Sequence, residues 1–272
     1  MALLAGMALC LQAATAAPVT LTGEPVDYAF EADKACCIDV AAVNLLNYLD
    51  RQPGFGKLVP DGRSIEAQQA GFHRRWDPDG NKTAGTRFDL KNALAATFKA
   101  RDFAADIKLT ETKDLSYDNL LKGWNAHDLV ILLANEVDLG WGHALLLWGL
   151  EDDKTKPRLA AVDPNLHPNT HQRIEGRDTG SAGAVVWSNL TIGTDARQWP
   201  DWRIRLQAPD HTYKIGQDEW VYDGKTYNFR ISEFVSVSNV RAIPEPTGLM
   251  LTVQALVIAG AAVSVARRRR GR

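Results

Sequence analysis

Ala35-Cys-Cys-Ile-Asp-Val-Ala-Ala-Val-Asn-Leu-Leu-Asn-Tyr-Leu-Asp-Arg51 decides how the rest of the chain is read. Ile38, Ala42, Leu45, Leu46 and Leu49 recur at three- and four-residue spacing, which predicts a helix with one apolar face. Pro53 stops it, with Gly54 and Gly56 behind. The helix therefore starts at a cysteine. A thiol in a first helical turn faces unpaired backbone N–H groups and the positive end of the helix dipole. Both favour the thiolate, which is the nucleophilic form. The competing reading is a buried structural thiol, a common state for free cysteine.

Working outward, the stretch before it, Val19 to Asp33, has little periodicity. A polar, Gly- and Pro-containing segment follows it, with a helix expected over Ser64 to Arg75. Asp77-Pro-Asp79-Gly-Asn81 reads as a polar turn, because the glycine offset is wrong for a calcium loop and no bidentate glutamate follows. Helices are expected over Phe88 to Lys99, through Phe88, Leu90, Leu94 and Phe98, and over Ser116 to Asn125 with Ser116 as its cap. A strand is expected over Asp106 to Leu109.

Then the period changes. Leu129 to Ala134 is a short continuous apolar run, His143-Ala-Leu-Leu-Leu-Trp148-Gly a second, and Arg158 to Val162 a third, ending at Asp163-Pro-Asn165. The last two, joined by a polar turn, predict an antiparallel hairpin. From Ala182 onward every signal is strand: Ala184 to Trp187, Trp202 to Leu206, Glu219 to Tyr222, and Tyr227 to Val237 around a hairpin-like Asp223-Gly224. Six of the eight tryptophans lie in this second half, as cross-strand packing favours. Helices first and antiparallel strands after predict an α+β fold, the helical first half packed on a mostly antiparallel β-sheet.

The chain of 272 residues is 45% apolar, enough for a sizeable core, and its formal charge of −2 offers no basic surplus for nucleic acid. Of three cysteines, Cys10 lies near the start and Cys36 and Cys37 are adjacent. Neighbouring cysteines cannot staple a long loop, though a vicinal disulfide is an alternative use.

The two ends read as addresses. Residues 1–17 form an apolar run followed by small residues, the pattern of a secretory signal peptide. No positive n-region precedes the run, which points to a start further upstream. At the other end Ile243-Pro-Glu-Pro246 precedes about 20 uncharged residues, enough to cross a bilayer core, and then Arg267 to Arg270. This resembles the PEP-CTERM sorting signal. The resemblance implies one transmembrane helix within 243–272, transient anchoring in the inner membrane of a Gram-negative bacterium, and an exosortase as partner. Its cleavage would release the body, 18–242, to the cell surface or extracellular matrix.

Within that body a catalytic constellation can be drawn. A cysteine peptidase needs a thiolate, an imidazole to pair with it, and a third group to hold the imidazole. Cys37 begins a helix, His143 begins a strand and Asp163 closes the next. In an antiparallel hairpin those last two positions are neighbours.

Helix-borne Cys, strand-borne His and then Asp or Asn is the order of the papain-like cysteine peptidases, and within them the chain resembles the IdeS/Mac-type enzymes, which cleave immunoglobulin G. Cys37 with Asn44-Leu-Leu46 seven positions on, His143-Ala-Leu-Leu-Leu-Trp148-Gly149, and Val162-Asp-Pro-Asn165 carry the likeness, over about Lys34 to Tyr48 and Gly142 to Asn165. The resemblance implies a papain-like fold, a Cys37 nucleophile, His143 as general base and acid, Asp163 orienting it, a protein or peptide substrate, and no cofactor or metal. It assigns supporting positions to Asn165, in place of the family's second acid, and to Lys34, nearer the nucleophile than the family's lysine. Cys36 remains the alternative nucleophile; the Asn44 spacing favours Cys37. Antibody specificity does not carry over.

Of the other histidines, His167 and His171 fall among prolines that oppose a metal-binding helix, and His73, His127 and His211 show no suggestive partner in sequence. Three functions stay open: an exported cysteine endopeptidase, a catalytically silent surface or matrix binding protein of the same fold, and a transglutaminase- or amidase-like acyl transferase.

Overall fold

Helix α1 (Cys37–Asp50) is buried almost all the way round rather than along one stripe: Val40, Ala41 and Val43 are as enclosed as Ala42 and Leu45. A helix apolar on every side is a central helix. The computed structural model describes residues 19–21, 37–56, 58–59, 65–80, 86–138, 140, 142–151, 153, 155–163, 185–207, 210–215, 218–223 and 226–243. Residues 1–17, nearly all of the 243–272 tail, Lys34, Cys36, Asn165, His167 and His171 lie outside them.

Helix α2 (Ile65–Trp76) packs against α1, and α3 (Arg87–Lys99) against α2. Thr86 begins α3 with a reciprocal capping box: its hydroxyl accepts from the Asp89 N–H, and the Asp89 carboxylate accepts from the Thr86 N–H. The buried stripe of α3 is Leu90, Ala93, Leu94, Thr97 and Phe98. Phe88 is not part of it. It stands 53% exposed, with the Arg87 guanidinium over its ring. After β2 (Phe103–Thr110) and a short 3-10 turn comes α4 (Tyr117–Asn125), capped by Ser116 as expected.

The remaining strands are β3 (Leu129–Glu136), β4 (Gly142–Leu150), β5 (Arg158–Val162), β6 (Val185–Asn189), β7 (Thr191–Thr194), β8 (Pro200–Gln207), β9 (Asp210–Ile215), β10 (Asp218–Asp223) and β11 (Thr226–Ala242), with β1 (Val19–Thr20) at the front of the chain. The main sheet runs β6-β5-β4-β3-β11-β8-β7, with β1 beside β4 and β2 beside β11. Every pairing among the described residues is antiparallel. The protein is thus an α+β fold, with the helices of the first half packed on an antiparallel sheet, the layout expected from sequence.

Two irregularities shape that sheet. Along one edge β11 pairs with β8 up to Ile231 and with β2 from Phe234. The change of partner coincides with a register shift against β3 between Ile231 and Glu233. Ser232 sits there; its hydroxyl donates to the Leu133 carbonyl and its own carbonyl accepts from Thr112. The sheet also curls until β6 meets β8. Ser188 Oγ accepts from the Arg205 N–H and donates to the Arg205 carbonyl, both at 3.0 Å. One hydroxyl thereby satisfies both polar groups of a backbone unit on the facing strand.

Gly224 of the Asp223-Gly224 turn expected from sequence lies outside the described residues. Among those described no ladder joins β10 to β11: β10 pairs with β9 as a two-stranded ribbon, while β11 pairs with β8 from Thr226, opposite Gln207. Non-local pairing prevails for β11, to which β8 offers six residues of continuous ladder.

α1 lies along β4. Tyr48, near the end of the helix, meets Trp148 edge-on at 5.5 Å between ring centroids. Trp148 is the extra residue where the β4–β5 register shifts between Leu147 and Gly149. From Cys37 to Tyr48 is eleven helical residues, and from His143 to Trp148 five strand residues. At about 1.5 and 3.3 Å per residue both spans are about 17 Å. Anchoring one end of α1 at Trp148 thus brings its first residue level with His143.

Candidate active site

Cys37 is the first residue of α1 and a free, buried thiol. His143 is the second residue of β4, held in register opposite Ala134 of β3. That row continues through Ile231 to Trp202. Directly opposed residues share a face, so the imidazole stands on a floor of tightly packed apolar side chains. The Phe229 ring, one row along, lies 5.4 Å from the imidazole, centroid to centroid. Asp163 follows β5 directly. Because β5 runs antiparallel to β4, with Val162 opposite Leu146, it comes back to the end where His143 begins.

His143 Nε2 and Asp163 Oδ1 are 2.9 Å apart, with both residues buried. The carboxylate fixes the ring, and Nε2 is its donor. The Cys37 thiol is a further side-chain partner of the imidazole. Burial opposes a charge on His143, but the Asp163 carboxylate and the hydrogen bonds and charge of Asp163 and Cys37 outweigh it. Its pKa is raised from 6.5 to about 10. At neutral pH the ring is an imidazolium between a carboxylate and a sulfur.

The structure therefore brings together Cys37, His143 and Asp163, which are scattered over more than 120 positions of sequence. Lys34, Cys36 and Asn165 lie outside the described residues. Among the described residues no group of three or more His, Cys, Asp or Glu is placed to hold a metal ion, and no helix is long and apolar enough to cross a membrane.

Sequence reasoning missed a second cluster. His73, which shows no suggestive partner in sequence, has its Nδ1 2.7 Å from Asp39 Oδ2 and its Nε2 3.6 Å from Asp77 Oδ2. The Trp76 indole donates to the other oxygen of Asp39 at 2.6 Å. Asp39 and Asp77 are both buried. Asp77 follows α2 directly, its N–H on the His73 carbonyl at 2.9 Å, and opens the expected turn, where the Gly80 N–H reaches the Asp77 carbonyl at 3.4 Å. What the sequence did not show is that the Asp77 side chain is buried; Asn81 lies outside the described residues. Two signals were available: an acid among the apolar residues of the first two turns of α1, Cys37 to Val43, and His73 four residues before Asp77.

No protein-family model matches the chain, and no curated protein sequence matches it. Among solved structures it is similar to the Pseudomonas avirulence protein AvrPphB, at 10% identity over 75% of this chain and 91% of that one. The TM-score of 0.25 is too low to carry a statement about fold or activity.

Proposed function

We propose that the protein is a cysteine peptidase of the papain-like type, with Cys37 as nucleophile, His143 as general base and acid, and Asp163 orienting the imidazole. The observation that carries this reading is a single buried imidazole with a carboxylate on one nitrogen and a helix-terminal sulfur within reach of the ring.

The chemistry follows from that order. The Cys37 sulfur adds to a peptide carbonyl carbon, and the carbonyl oxygen takes the negative charge. The N–H of Cys37 is one of the unpaired donors of a helix start and serves as a default oxyanion donor. The His143 imidazolium gives its proton to the leaving amine, and the C–N bond breaks to leave a thioester. The now neutral imidazole takes a proton from water, which attacks the thioester and releases the acid and the thiol. Asp163 keeps Nε2–H occupied throughout, so Nδ1 remains the working nitrogen.

With this goes the proposal that residues 1–17 direct export and that 243–272 act as a PEP-CTERM-type sorting tail, cut by an exosortase. The IdeS/Mac-type likeness is kept as a proposal for the subclass alone, without a substrate.

The test is turnover of a mixed pool of denatured proteins, read by the new termini that mass spectrometry detects. Wild type should generate them and Cys37→Ser should not. Equal cleavage, or none by either, overturns the reading. An added amine that appears in the products instead of water would identify an acyl transferase.

A further inference from the structure

We propose that Asp39, clamped by His73 and Trp76, is a positioning device that sets the rotation of the helical turn carrying Cys37. This deepens the peptidase reading and rests on it.

Asp39 and Cys37 are two residues apart on α1, about 200° around the helix. Cys37 faces His143 while Asp39 faces α2. Both carboxylate oxygens of Asp39 are held: Oδ1 by the Trp76 indole at 2.6 Å and Oδ2 by His73 Nδ1 at 2.7 Å. The two rings brace each other, 4.4 Å apart and near-perpendicular, and Asp77 flanks the far nitrogen of His73. Asp39 itself is 1% exposed.

A buried carboxyl group held at two points resists twisting in a way that aliphatic contacts do not, since hydrogen bonds are directional and dispersion is not. The Cys37 sulfur lies about 5 Å from the helix axis, so a rotation of about 10° moves it about 1 Å, a displacement worth about a hundredfold in rate. The seam between α1 and α2 has a second polar tie, Asn47 Nδ2 to Gln68 Oε1 at 2.7 Å, two turns further along. That tie holds the helices together without fixing the first turn, and so supplies a control.

The experiment uses the full chain carrying Cys10→Ser and Cys36→Ser, which leaves Cys37 as the sole thiol. The rate of iodoacetamide alkylation is measured beside kcat and KM on an unfolded casein substrate. His73→Leu is expected to lower the alkylation rate and kcat about ten- to a hundredfold, with KM changed less than about threefold. His73→Asn, which keeps a donor at the Nδ1 position, should restore both. Gln68→Ala should lower Tm without lowering either rate. If His73→Leu does not fold, Asp39→Asn takes its place.

The proposal is overturned if the His73 and Gln68 variants lose rate alike in proportion to Tm, or if His73→Leu alkylates at the wild-type rate. A wild-type Cys37 no more reactive than Cys37 beside His143→Ala overturns the peptidase reading and this proposal with it. A reactive Cys37 indifferent to His73 removes the positioning role alone.

Discussion

His143 and His73 each sit within hydrogen-bond distance of a buried aspartate, 2.9 and 2.7 Å away. What stands on the far side of each ring differs. The second partner of the His143 imidazole is the Cys37 thiol; across the ring of His73 is a second carboxylate, Asp77. A proton on His143 can be handed to something that leaves, whereas His73 is bracketed by two acceptors that stay. The supporting elements differ too. His143 lies on β4 and Asp163 just past the end of β5, two strands held by a ladder, while Asp39, His73 and Trp76 tie two helices. Under the proposed function one pair moves a proton and the other stops a helix from turning.

The largest effect expected separates the two pairs outright. Cys37→Ala or His143→Ala should reduce peptide turnover by at least about a thousandfold, with Tm shifted little for the cysteine. Asp77→Asn, measured in the same assay, should leave turnover within a few-fold. Asp163→Asn should lower kcat but spare more activity than His143→Ala, because an amide oxygen can still accept from Nε2. It removes the charge that holds the imidazolium, so the alkaline limit of activity should move to lower pH.

Stability should follow His143 in a definite direction. Below about pH 6.5 the imidazole is protonated in both folded and unfolded chains, and its contribution is fully present. Between about 6.5 and 10 only the folded chain keeps the proton, so stability should decline as pH rises through that window. Denaturant midpoints against pH test this, and His143→Gln should flatten the slope.

Asp39→Ala should cost about 3 kcal/mol in urea unfolding, since it strands the buried Trp76 indole and the His73 donor. The smallest change, Thr86→Ala, should cost about 1 kcal/mol by opening the α3 capping box, with no effect on turnover.

Much of this was legible in the chain. The α1 and β4–β5 patterns are local, and local periodicity survives folding: β5 is Arg158–Val162 in sequence and structure alike. The meeting of His143 and Asp163 was readable because antiparallel pairing needs only strand order and direction. What could not be read depends on where distant elements land. The β9–β10 ribbon depends on β11 choosing β8, and the fate of Phe88 depends on how α3 is rotated. A first-turn acid such as Asp39 is favourable at a helix N-terminus on dipole grounds alone, so its place in the first turn carries no sign of burial. Only α2 laid alongside reveals it as buried and doubly bonded.

The proposed chemistry turns on one sulfur activated by one imidazole. Brief treatment of the protein with an epoxysuccinyl peptide inhibitor, followed by peptide mapping, reads that pairing. A single adduct on Cys37 is expected, abolished by His143→Ala in a chain that still folds. An adduct on Cys36 instead, or the same Cys37 labelling with and without His143, would contradict it.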